Sequence, residues 1–382
     1  MENTLQICYQ KSVALLKKNS DRHGISASSK SSKAKARNYL SVFGRDASIC
    51  SLGMVVSSDR ALIASARQSL DTLARYQADN GQIPYLVQTD KKQADFYYFG
   101  SVDSSLWWLI AIKFFDQNTR YNLEKKYKKQ IQKAINWLQC QEHPNFYLLL
   151  QPEASDWADL MPRSGFVLYT NALWYWVKKL YNLSDADKTK KYFNYIFDKD
   201  FIAPKNEIRL IKLLASIKNK QNGPLYPSFV NRSFVGTEDD VFGNILAAMV
   251  GLSELKKSKQ IVDYLKKHKA NSPFPIKAVL KPIKKSDPMW RSYMDYLKQN
   301  KVDLYHNGGV WPFIGSFWVM LLVIIGDKQA IDQLQKLAEL NQKNNWQFNE
   351  HFDGKTLKAM GMSGQSWNAA TYILAYKFLN NN

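Results

Sequence analysis

Two kinds of helical period alternate along this chain of 382 residues. Stretches such as SSLWWLIAIKFF and PFIGSFWVMLLVIIG are apolar around most of their circumference, whereas YNLEKKYKKQIQKAINWL confines its apolar residues to one stripe. A helix that is apolar all round must be buried, and an amphipathic one can cover it. The periodicity predicts about a dozen helices: 4–19, 46–57, 60–79, 103–116, 123–140, 166–182, 206–219, 239–254, 257–269, 311–325, 328–342 and 366–379. Inner and outer helices alternating in this way would form two concentric layers, an all-α barrel or toroid. An α-solenoid satisfies the same pattern.

The connecting segments are unusual in being long and rich in acids, amides, glycine and aromatics: ADNGQIPYLVQTDKKQADFYYFGSVDS, LLLQPEASDWADLMPRSG, VDLYHNGGVWP and NNWQFNEHFDGKTLKAMGMSGQS. Loops beyond about a dozen residues in a compact domain are functional or disordered, and these carry too many aromatics for disorder. The 11 Trp and 21 Tyr favour a ligand cleft, because such side chains pack and also line polar sites. One stretch differs. ISASSKSSKAKARNYL is Ser- and Lys-rich and is expected to be a mobile surface loop, dividing the chain into residues 1–38, an N-terminal helix with that loop, and a single barrel domain over 39–382.

The net charge of +20 makes nucleic acid a partner to weigh. Its lysines recur on polar helix faces and in connections, with no nucleic-acid-binding motif beside them, so no nucleic-acid partner is expected. Cys8, Cys50 and Cys140 show neither paired spacing nor a neighbouring histidine cluster, which argues against a disulfide framework or a zinc site. The N-terminus lacks an apolar signal-peptide core and no run reaches membrane-spanning length. A cytoplasmic enzyme without a transmembrane segment, metal or organic cofactor is the expectation.

Carboxyl groups recur at the loop ends. In SDWADLMPRSG, Asp156 and Asp159 flank Trp157 ahead of a helix, which fits either N-capping or a carboxyl whose pKa is tuned by an aromatic wall. In FGRDAS, Arg45 and Asp46 open a helix as a cap with its ion pair or as sugar-hydroxyl acceptors. Asp103 poses the same choice before Trp107 and Trp108. His306 and Asn307 precede a glycine pair and Trp311, where backbone can approach a ligand; sugar contact suits His306 better than catalysis. Asp353 fits a turn at Asp-Gly, while Glu350 has no such local role. Two credible carboxyl sites, near 159 and at 350, are what glycoside hydrolysis requires: an acid for the leaving oxygen and a carboxylate acting on water or sugar.

Read in order, FGRDAS, GQIP, SVDSSLWWL, DWADLMPRSGFVLYTNALWYW, DDVFGNILAAMVGL, YHNGGVWPFIGSFWV and NEHFDGKT…GQSWNAATYILA resemble the amylo-alpha-1,6-glucosidase group (the C-terminal domain of glycogen debranching enzymes) and the related alkaline and neutral invertases. The resemblance runs from about residue 40 to the C-terminus. It implies an (α/α)6 barrel and an inverting glycosidase, with Asp159 in the place of the general acid, Trp157 in its wall, Asp156 as support, and Glu350 in the place of the general base. By the same carry-over Arg45, Asp46, Asp103, Arg163, Asn307, Trp311, Gln365 and Trp367 are expected in the sugar site, beside His306 from its own loop. Leu168, Tyr169 and Thr170 stand where the debranching pattern has a glutamate, and no glucanotransferase portion accompanies the domain, so a small oligosaccharide such as sucrose is at least as apt a substrate as a glycogen branch. Two rival readings are a non-catalytic carbohydrate-binding or basic interaction scaffold and a glycoside phosphorylase.

Overall fold

The computed structural model describes residues 4–96, 101–201, 204, 205, 207, 208, 210, 212 and 223–381. The helix expected at 206–219 lies largely outside them. Twelve long helices are described: α1 (Thr4–Asn19), α2 (Gly44–Val56), α3 (Arg60–Arg75), α4 (Val102–Asn118), α5 (Lys128–Gln139), α6 (Leu168–Leu180), α7 (Ala186–Phe197), α8 (Val241–Met249), α9 (Leu255–Lys267), α10 (Pro312–Ile324), α11 (Ala330–Lys343) and α12 (Ser366–Asn380). The even-numbered helices pack each on the next, and α12 returns to α2, closing a ring. Around it α3, α5, α7, α9 and α11 each cover the inner helix that precedes them, and α1 covers α12. This is an (α/α)6 barrel. Ring closure excludes the solenoid, in which the first and last repeats would not meet.

Burial follows the two periods. In α10 every residue from Pro312 to Leu322 is buried, and in α12 every residue from Ser366 to Ala375. In α9 only Ser258, Ile261, Val262 and Leu265 are, a one-face stripe. The helix α7 went unrecognised in the sequence because its inner stripe includes Thr189 and Asn194 beside Phe193 and Phe197, so polar letters at core positions blur the period. The expected helix 123–140 breaks at Tyr127 into Leu123–Lys126 and α5.

The stretch expected to be a mobile loop, residues 25–40, begins in a strand of a two-stranded pair, Ser20–Asp21 with Gly24–Ile25, and contains a short helix, Ser32–Ala36. This N-terminal segment is bonded to the far end of the chain. The Asn19 amide donates to the Gly364 carbonyl and to Ser366 Oγ (both 2.9 Å), Ser29 N–H to the Gly364 carbonyl (3.0 Å), and Lys33 Nζ to the Gly361 carbonyl (2.8 Å). Serine and lysine here serve a long-range hydrogen-bond network, which composition cannot distinguish from solvation.

The ring closes at a backbone contact. A Cβ on Gly53 of α2 would lie 1.9 Å from the Ala370 carbonyl oxygen of α12, so only glycine permits that approach. Overpacking of a tight core costs about 1–3 kcal/mol and sometimes more. Gly53→Val is therefore expected to lower the urea midpoint of unfolding by an amount in that range; an unchanged midpoint would show that the first and last inner helices can part freely.

Candidate active site

Sequence direction places the chemistry. The six inner helices start at the loops that carry the acidic motifs, so these loops gather at one mouth of the barrel. In the loop after the strand Leu150–Gln151, Asp156 caps no helix but braces its own turn: its Oδ1 accepts Ala158 N–H (2.8 Å) and its Oδ2 accepts the Gln151 amide (3.1 Å). Helix α6 begins only at Leu168, after the strand Gly165–Val167. The turn that Asp156 holds turns Trp157 inward, its ring edge-on to Phe242, His306, Trp311 and Phe313, and turns Asp159 toward the mouth with 15 % of its side chain exposed. Among the described residues no donor bonds to the Asp159 carboxyl; its Oδ1 lies 3.8 Å from Nδ1 of His306, which burial first, and then nearby cations, keep neutral. Burial raises Asp159 to about 7, against the pull of Arg45 and reinforced by the charges of Asp156, Glu350 and Asp103.

Glu350 is held differently. Its Oε1 accepts the Tyr39 hydroxyl (2.8 Å) and its Oε2 accepts Met362 N–H (3.0 Å). Burial raises its pKa, while those two donors and the charges of Lys33 and Arg37 pull it back. Gly361, at φ 74°, makes room for it: a Cβ there would meet Glu350 Oε2 at 2.3 Å.

Near the two carboxyls runs a buried chain. Arg45 Nη1 donates to Asp103 Oδ2 (2.9 Å), which also accepts the Tyr169 hydroxyl (3.2 Å), whose oxygen accepts Trp107 Nε1 (2.7 Å). Asp46 lies 3.6 Å from Arg45 Nε and is raised to about 6 by burial, with Arg45 opposing and Glu350 and Asp103 assisting. Tyr169, one of the residues standing in place of the debranching glutamate, thus serves this network. Behind it, Trp311 is sandwiched between His306 and His351 at 5.3 and 5.0 Å, and Trp367 stacks on Phe313 at 4.2 Å. The side-chain amide of Gln365, the indole N–H of Trp157 and Trp367, and Nδ1 of His306 and His351 are buried without a hydrogen-bond partner among the described residues.

Not every expected sugar ligand faces a sugar. Arg163, 1 % exposed, pairs with Glu238 (3.0 Å) and Asp240 (3.3 Å) inside the protein. Asn307 spends both ends of its amide on the Ile283 backbone and on the Asn300 carbonyl. Trp311 donates its indole N–H to the Tyr305 carbonyl (2.9 Å) and acts as wall, not platform. The mouth opens into a cleft of ≈ 480 Å³, on whose lining, of the residues singled out in the sequence, Asp159 and Glu350 alone appear. Tyr39, Tyr85, Tyr305 and His351, also on its lining, were missed. Tyr305 and His351 adjoin residues that were chosen, but Tyr39 sits in the stretch read as mobile. No cluster of three or more metal-ligating side chains exists among the described residues, and no helix there is long and apolar enough to cross a membrane.

A closed ring of paired helices, with two buried carboxyls of unequal character at one mouth, defines the chain as an (α/α)6-barrel glycoside hydrolase. The profile of the alkaline and neutral invertases matches residues 175–382, and the chain belongs to that family. The matched span contains Glu350 and stops short of Asp159. No curated protein sequence matches the chain. Among solved structures, a family 63 mannosylglycerate hydrolase from Thermus thermophilus is similar at TM-score 0.67 and 13% identity, over 96% of this chain and 99% of that one. A glycosidase solved as a single-residue variant is similar at TM-score 0.64 and 13% identity, over 99% and 97%. At such identities the likeness is one of fold.

The Asp159 environment has a consequence for stability. An unfolded aspartate titrates near 3.9, so between about pH 4 and 7 the folded state binds the proton that the unfolded state releases, and stability falls as pH rises through that window. Asp159→Asn lacks this slope. Its melting temperature relative to wild type is expected to climb from pH 4 to pH 8; a difference that stays constant with pH would show that Asp159 is not held protonated.

Proposed function

We propose that the protein hydrolyses a small glycoside with inversion at the anomeric carbon, Asp159 serving as general acid and Glu350 as general base. The observation that carries this reading is the unequal treatment of two carboxyls on one cleft. Asp159, raised to about 7 and bonded by no donor among the described residues, is suited to give a proton to the glycosidic oxygen. Glu350, held by two donors that favour the ionised form, is suited to take a proton from water. In one step the C1–O bond to the leaving group breaks as Asp159 protonates that oxygen, a water oxygen bonds to C1 from the opposite face, and Glu350 receives the water proton.

Arg45, Asp46 and Asp103 form the polar floor beneath the bond to be cleaved in this reading. The orphaned indole, imidazole and Gln365 atoms supply further partners for sugar hydroxyls, since a buried polar atom left unmet costs about 1–3 kcal/mol. A cleft of ≈ 480 Å³ sits in the range of small-ligand pockets, which favours a disaccharide-sized substrate over a glycogen branch. The family name points to sucrose, and the mannosylglycerate hydrolase among the similar structures points to a sugar joined to a small acid. Among the rivals, a phosphorylase would need phosphate for turnover.

The test is product analysis on sucrose, trehalose, isomaltose, a glucosylglycerate and a branched limit dextrin, with and without phosphate. Phosphate-independent cleavage of a small glycoside is expected, with the newly released anomer inverted by NMR. Asp159→Asn and Glu350→Gln should each lower turnover by about 10²–10⁴-fold while remaining folded; near-normal turnover in either would remove that residue from the mechanism. For the wild type, kcat/KM should fall as pH rises through about 7, the range in which Asp159 loses its proton.

A further inference from the structure

Three cations lie on the lining of the catalytic cleft: Lys33, Arg37 and Lys298. They come from segments far apart in sequence, the first two from the short helix Ser32–Ala36 and its C-terminal cap, the third from the end of the 3-10 turn Ser292–Lys298. All three are exposed, and among the described residues none is ion-paired: Lys33 is held only by the Gly361 carbonyl, and Asp295, near Lys298, is already bonded to Lys285 at 2.5 Å. Besides the two catalytic carboxyls, the lining holds one further acid, Asp95.

Their exposure on the cleft matters more than their number. Arg45, Asp46 and Asp103 are buried, whereas Lys33, Arg37 and Lys298 are exposed and line the cleft itself. Gln299 and Tyr296 line the cleft with them, Tyr296 being 67% exposed. We infer that this cation-lined part of the cleft is an anion site, and that the substrate is a glycoside that carries a carboxylate or a phosphate. This rests on the glycosidase reading above and narrows it. A net charge of +20 works in the same direction, since the summed field of a basic protein concentrates anions at its surface. The competing account is that Lys33 and Arg37 serve only to lower the pKa of Glu350, on which both act; Lys298 has no part in that account.

The experiment is calorimetric titration of the wild-type protein with glycerol, D-glycerate and glycerol 3-phosphate, three aglycone-sized probes that differ in charge. It is repeated with the Arg37→Gln/Lys298→Gln double variant. One or both anions are expected to bind about tenfold or more tightly than glycerol, as two exposed charge pairs allow; the excess should weaken with added salt and disappear in the double variant. Preference for D-glycerate identifies a carboxylate site, and preference for glycerol 3-phosphate a phosphate site. Equal binding of the three probes, no binding of any, or a preference that survives the double substitution overturns the proposal. Hydrolysis of the glycoside panel by the same preparations keeps the two questions apart. Anion preference without any hydrolysis would count against the glycosidase reading and not the anion site; hydrolysis without anion preference would do the reverse.

Discussion

The closure of six parallel inner helices into a ring is the constraint from which the site follows. It brings six helix starts, each with unsatisfied N–H groups and a partial positive charge, to one mouth. Asp46 and Asp103 occupy the first turns of α2 and α4, where that field partly offsets the cost of burying a carboxylate. The contact of Gly53 with the Ala370 carbonyl sets how narrow the ring is. A barrel that was wider there would separate α2, carrying Arg45 and Asp46, from the segment before α12 that carries Glu350.

The two carboxyls on the cleft share a low-polarity setting and differ in their donors. Asp159 is left to burial and to the repulsion of neighbouring carboxylates, and its proton is retained. Glu350 receives a phenol and a backbone N–H, which stabilise its charge. In the proposed mechanism acid and base thereby differ by hydrogen bonding and not by residue type, the general way in which paired titratable groups are driven apart. The N-terminal segment takes part in that assignment, since Tyr39 supplies one of the two donors and the bonds of residues 19–33 to 361–366 hold it in place.

Much of this was legible beforehand, and the failures have identifiable causes. The alternation of all-round and one-sided apolar helices announced two layers, and the acidic loops announced a mouth. Glu350 stood out because no local role explained it, and Asp159 because its motif resembles one that holds a general acid. For Arg163 and Asn307 a polar residue in such a loop reads the same whether it faces a ligand or braces the loop from behind; their partners here are Glu238, Asp240 and the Ile283 backbone. Asp156 looked like a helix cap, but a strand intervenes before α6. Tyr39 was passed over because serine- and lysine-rich sequence signals solvation when its partners, 300 residues away, are out of view.

By itself, the sequence determined which helices are inner and which outer, because helical period and burial are bound together by the geometry of a single turn. It also determined where carboxyls fall relative to helix starts, a local matter. Tertiary structure alone decided that the ring closes, which polar side chains face the cleft, that Tyr39 reaches Glu350, and that Lys33, Arg37 and Lys298 meet on one rim. These depend on contacts between residues hundreds of positions apart, whose free energies no local pattern records.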